Sequence, residues 1–188
     1  MHQIEPFYNW LKLYDSSKDI RSPFRGKSYD YNSYSETIYG YYIDPAWDSF
    51  GSETLYMKLL FCDYECGFTI IEFIGEWNDA LNNDIMLLKR NILEVLSMYG
   101  IHKYILIGEN ILNFHGSDDS YSEEWFEEVA EGWIACVNFP HFVRDEMATF
   151  GLDVYLNMGG TLEIPNWRTL KPTLFCDLLA NLIQRRLN

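Results

Sequence analysis

Basic residues are scarce in this chain: 14 Lys and Arg stand against 28 Asp and Glu in 188 residues, a formal charge of −14. A phosphate backbone is held by Lys and Arg that displace its counterions, so no nucleic-acid partner is expected. Long apolar runs are missing too. None approaches the ~18 consecutive residues that mark a membrane helix, so no membrane is expected as a partner either. The opening stretch MHQIEPFYNWLKLYD lacks a basic start followed by an apolar core, and no secretory signal is read there. Cysteine occurs only at Cys62, Cys66, Cys136 and Cys176. Cys136 and Cys176 fall in apolar segments, where cysteine acts as a small hydrophobe, and a reducing, cytoplasmic setting is the simplest expectation. Cys62 and Cys66 are four apart but lack the second Cys/His pair of a structural zinc site, so they read as unrelated hairpin cysteines. HExxH, G-x-S-x-G and a phosphate-binding Gly-rich loop with Lys are all absent. No catalytic residue, metal or cofactor is assigned on motif grounds.

What is present is a core. Apolar residues make up 48% of the chain, enough for one domain of ordinary size. Phe68–Ile74 (FTIIEFI) is short, β-branched and nearly all apolar, which suits a strand covered on both faces. Asn78 or Asp79 can cap the helix that follows. In that helix Leu81, Ile85, Leu88, Ile92 and Leu96 fall on one face. Gly100 stands where a left-handed residue closes a helix, and Tyr104–Ile107 is again a buried-type strand. Strand, helix and strand with short connections predict a right-handed crossover with parallel strands. Glu53–Phe61 precedes this unit as the first arm of a hairpin.

Downstream the alternation repeats. A long polar loop after Ile107 leads to a helix with a capping box at Ser120 and Glu123. Its inner face carries Trp125, Phe126 and Val129, and Glu127, Glu128 and Glu131 form a solvated outer face. Gly132–Phe139 reads as a strand, and Asn138 with Pro140 as a cap and first turn of the next helix. Leu152–Met158 reads as the last strand, and Pro172 opens a final helix with Phe175, Leu178, Leu179, Leu182 and Ile183 inward. The expected class is α/β, with a mixed sheet of about five strands: an antiparallel hairpin, then parallel βαβ units. Residues 1–52 differ in texture. They are rich in Tyr, Ser, Asp and Gly, and read as an irregular extension packing on a domain of residues 53–188, with a short helix ending at Trp10–Tyr14.

Function in parallel sheets gathers at the carboxyl ends of the strands. Glu76, Glu109, His115, Asp118 and His141 fall at those ends. Carboxylates with histidines could bind a divalent metal or act as acid and base, so a metal-dependent or hydrolytic enzyme is one reading. It requires the five side chains to converge.

From about Glu53 onward the order of elements resembles the STAS domain, the fold of bacterial anti-sigma-factor antagonists. The resemblance rests on Gly75-Glu76 before the first helix and Gly100-Ile101 before the next strand. It extends to Phe114-His115-Gly116-Ser117-Asp118 before the second helix, to Trp133–Asn138, and to the Gly151-Leu152 exit. In that family the loop reads Asp-Ser-Ser-Gly, and a partner kinase phosphorylates a serine at the helix start. This chain has Gly116-Ser117-Asp118-Asp119, so Asp118 stands closest to the phosphorylated position and could imitate its charge. The resemblance implies a regulatory module without catalysis, meeting a protein partner through Phe114, His115, Gly116, Ser117, Asp118 and Asp119.

Overall fold

The computed structural model describes residues 4–129 and 131–186. Met1–Gln3, where the stretch read for a signal begins, and Leu187 and Asn188, with which the domain read over residues 53–188 ends, lie outside them. A small hairpin, β1 (Thr37–Ile38) and β2 (Tyr41–Tyr42), precedes a five-stranded mixed sheet. Its strands are β3 (Leu55–Asp63), β4 (Phe68–Asn78), β5 (Lys103–His115), β6 (Trp133–Val137) and β7 (Asn157–Met158), in that spatial order. β3 and β4 are antiparallel and every later pair is parallel. The expected fold class is the one observed.

Because the strands are ordered as in sequence, every crossover lies on one face of the sheet. That face carries α1 (Asp79–Asn82), α2 (Asp84–Leu88), a π-helical turn (Lys89–Leu93), α3 (Glu94–Ser97), α4 (Ser120–Glu128) and α5 (His141–Thr149). Ile85, Leu88, Ile92, Leu96, Trp125, Val143 and Met147 pack there on Ile71, Phe73, Tyr104 and Leu106. The opposite face is covered by chain-terminal segments. α6 (Pro172–Arg186) buries Phe175, Cys176, Leu179 and Ile183 against Phe68, Ile70, Ile105 and Ile107. Trp10 joins this second core, in edge contact with Phe7 and Trp167, and its Nε1 donates to the Leu170 carbonyl at 3.2 Å.

Several local expectations are corrected. β4 and β5 run well past their apolar cores, to Asn78 and His115, because each extension pairs with the other in register, Asn78 against His115. The segment read as a loop after Ile107 is therefore strand as far as His115, and only residues 116–119 remain a loop. Leu81 is not on the buried helix face: it is 85% exposed, since Asn83 in a left-handed conformation separates α1 from α2. Phe126 is exposed and leans on Tyr155 (ring centroids 5.8 Å apart). Residues 9–13 form turns, not a helix. Leu152–Val154 is a 3-10 turn, leaving a strand of only two residues at Asn157–Met158. Asn138 does not cap α5; it has positive φ, and its side chain instead ties the end of β6 to both backbone groups of Ile164. All four cysteines are free, with Cys62 buried and Cys66 exposed.

The β4–β5 ladder slips twice: Gly108 and Glu109 together stand opposite Phe73, and Leu112 has no partner, so β5 carries two extra residues. Gly75 sits beside the second slip with φ +118°, and a Cβ there would collide with the Thr54 carbonyl oxygen. That carbonyl accepts the Glu76 amide at 2.9 Å and cannot retreat. Gly75→Ala is expected to cost about 3 kcal/mol, from backbone strain and a steric clash together. Urea denaturation checks it; a loss below about 1 kcal/mol would mean that the bulge re-forms around alanine.

Candidate functional site

The carboxyl ends of β4 and β5 bring Glu76 and His115 together. Their extensions are paired, and Glu76 Oε1 lies 3.8 Å from His115 Nε2. Glu76 Oε1 also accepts from Asn78 Nδ2 at 2.9 Å, and Oε2 accepts from the Tyr39 hydroxyl of the β1–β2 turn. Asn113 Nδ2 donates to His115 Nε2 at 2.9 Å. An amide nitrogen can only donate, so in this contact Nε2 serves as the acceptor. Two further acids brace the entry into the helices. Asp79 accepts from Trp77 Nε1 (3.0 Å) and the Ile85 amide (2.8 Å), and Asp84 accepts from the Asn78 amide (2.7 Å). Burial pushes Asp79 up to about 7, against those two hydrogen bonds and with help from the Asp84 and Asp118 charges. Burial raises Asp84 as well. Asn78 caps α1 through Leu81 N. These acids are held by backbone amides, and they shape the turn.

The other predicted residues are placed separately. Phe114 is buried against Trp77, so it supports the loop from beneath and offers no surface. Gly116 lies against the Phe150 ring, where any side chain would clash. Ser117 and Asp118 are exposed just ahead of α4. The expected capping box is not formed, because Ser120 is already the first helical residue and Asp119 is the cap. Instead Asp118 accepts from both the Ser120 amide (3.0 Å) and the Ser120 hydroxyl, which hold its carboxyl below the usual range. Asp119 accepts from the Tyr155 hydroxyl at 3.1 Å. His141 is exposed and pairs with Asp145 on its own helix at 2.6 Å. Glu109 belongs to the opposite face of the sheet.

On that face lies an acid that sequence reasoning passed over. Glu72 sits within the apolar run of β4 and is fully buried. It accepts the Phe7 amide at 2.8 Å and lies 3.5 Å from Arg168, which also grips Glu109. Burial pushes the Glu72 carboxyl up to about 7; Phe7 and Arg168 oppose that shift and Glu109 adds to it. The signal was available: a lone Glu among apolar strand residues must find partners.

Among the described residues one acidic group brings its oxygens within 4.8 Å of one another, Glu94, Glu124 and Glu128. A cation already sits there. The Lys89 ammonium reaches all three, at 3.2, 3.0 and 2.7 Å, from a side chain with no solvent exposure. Burial would lower Lys89, but its bonds to Glu128, Glu124 and Glu94 hold it above the usual lysine value. Glu128 is thus part of an interhelical ion cluster and not simply solvated outer face. No protein-family model matches this chain, and no curated protein matches it.

Proposed function

We propose that the chain is a STAS-like interaction module without catalysis of its own, meeting a protein partner through the loop His115–Asp119 ahead of α4. The observation that carries this reading is Asp118, an exposed carboxylate at a helix start, kept ionised by the amide and hydroxyl of Ser120. A fixed negative charge there stands where the resembled family places a phosphorylated serine. The overall charge of −14 favours a partner with a basic surface. The test is retention of partners by the immobilised chain and by an Asp118→Lys variant of equal stability. Loss of a retained protein by about tenfold, ~1.4 kcal/mol, is expected. Identical retention by both, or by a Ser117→Ala, Asp118→Ala double variant, would remove the loop from the interface.

The approach of Glu76 to His115 supports a second reading, an acid–base site at the same edge. Its other members would have to come from elsewhere, because Glu109, Asp118 and His141 are engaged by Arg168, Ser120 and Asp145 respectively. A hydrolytic activity of the purified chain that His115→Asn abolished would support it.

A further inference from the structure

The Tyr-rich N-terminal segment encloses a cavity of about 420 Å³ against β3, within the ~300–1,000 Å³ typical of small-molecule sites. Phe7, Tyr8 and Leu11 of the N-terminal segment, Leu59 and Leu60 of β3, and Tyr29 and Tyr31 line it. The polar groups converge on Asp48, which has no solvent exposure. Its carboxylate accepts from the Tyr29 hydroxyl at 2.8 Å, from Lys27 at 2.7 Å and from Lys58 at 3.1 Å. Lys58 also donates to the Ala46 carbonyl at 2.8 Å and lies 3.9 Å from the centre of the Tyr29 ring.

Charge decides what such a cavity can take. Around Asp48 two ammonium groups share one carboxylate, a local excess of one positive charge, and burial disfavours the charged form of Lys58, which a bound anion would favour. Lys18 at the rim is already paired with Asp15 at 2.8 Å, and Glu5 at the mouth is exposed to water. An ammonium has three donors; Lys58 spends two on Asp48 and Ala46, and Lys27 spends one on Asp48. One extra negative charge therefore completes the set, whereas a nucleoside triphosphate would bring three or four. Tyr8 and Tyr31 are the exposed aromatics at the mouth; Tyr31 already stacks on Tyr29, with ring centroids 6.1 Å apart, and offers a ligand its outer face.

We propose that this cavity binds a small planar aromatic carboxylate, its anion set against Lys27 and Lys58 and its ring against Tyr8 and Tyr31. The site is separate from the loop ahead of α4 and stands or falls independently of it. Calorimetric titration of the whole chain with benzoate, 4-hydroxyphenylacetate and indole-3-acetate, each beside its uncharged amide, tests it. At least one acid is expected to saturate with Kd at or below ~1 mM, and its amide to bind at least ~10-fold more weakly. Lys27→Gln, whose amide can still donate to Asp48, should weaken the acid by about 10-fold when titrated below its own melting temperature. Should that variant fail to fold, Tyr31→Ala at the mouth is expected to weaken the same ligand. No saturation by any of the three acids overturns the proposal. So does equal binding of acid and amide, or displacement of the acid by a lower concentration of ATP.

Discussion

Lys89→Ala is expected to destabilise the fold by about 3 kcal/mol, the lower end of the range for removing one partner from a buried ion cluster. The lower end applies because the three carboxylates keep between a third and two-fifths of their side-chain surface in water, while the ammonium has none. Without it, Glu94, Glu124 and Glu128 face one another with only Arg90, bound to Glu94 and Glu124, as counter-charge. Two further results follow from the same geometry. Destabilisation should shrink in acid, where the carboxylates take up protons. Oxygens within 4.8 Å of one another can also share one calcium ion, given Ca–O distances of ~2.4 Å. Calcium should therefore raise the melting temperature of Lys89→Ala and leave that of the wild type unchanged. A variant as stable as the wild type at neutral pH would show that the cluster is held by packing alone.

Stability is expected to fall as pH rises from about 4.5 to about 7, with Glu72 and Asp79 as the cause. Both carboxyls are raised in the folded chain, Glu72 from 4.5 to about 7 and Asp79 from 3.8 to about 7, chiefly by burial. A raised carboxyl keeps its proton in the folded state over a range where the unfolded chain has released it. Its contribution is complete below the unfolded value and is lost as pH rises through the folded one. Each group is worth on the order of 3 kcal/mol at ~1.4 kcal/mol per pH unit of difference. Depressed carboxyls such as Asp19, Glu94 and Asp118 act in the opposite sense, but only in stronger acid. Melting temperatures across pH 5 to 8 measure the balance, and Glu72→Gln, which can still accept the Phe7 amide, should flatten the profile. A wild type more stable at pH 8 than at pH 5.5 would mean that water or Arg168 relieves Glu72 more than burial penalises it.

The fold was legible where composition and period agree. Phe68–Ile74, Ile85–Leu96 and Tyr104–Ile107 each bury an apolar set that no other element type would bury as well, and their order alone predicts the parallel crossovers. Strand ends were not legible. Residues 108–115 look polar because Glu109, Asn110 and Asn113 interrupt them, yet pairing with β4 as far as Asn78 keeps them extended. Leu152–Met158 failed in the other direction, for a strong β pattern at the margin of a sheet finds only two residues of partner. Of the candidate site, Glu76 and His115 were legible as strand-end residues. Their separation from Glu109 was not, because Trp167 and Arg168, far along the chain, hold Glu109 on the side of α6. The Lys89 cluster and the cavity at Asp48 depend on side chains from distant segments, which no spacing along the chain reveals.

The sequential strand order also sets a timetable. As the chain leaves the ribosome, each crossover can cover its own face of the sheet soon after the strands beside it exist, since those contacts are close in sequence. The other face has to wait. Ile70 and Ile105 are roofed by Phe175 and Leu179, and Trp10 finds its partners at Trp167 and Leu170, 160 residues away. Nascent chains halted before Trp167 should therefore expose one oily side of a nearly finished sheet and bind a hydrophobic dye. Chains from which α6 has also emerged should not, and it is in the interval before α6 docks that a chaperone would have most to hold.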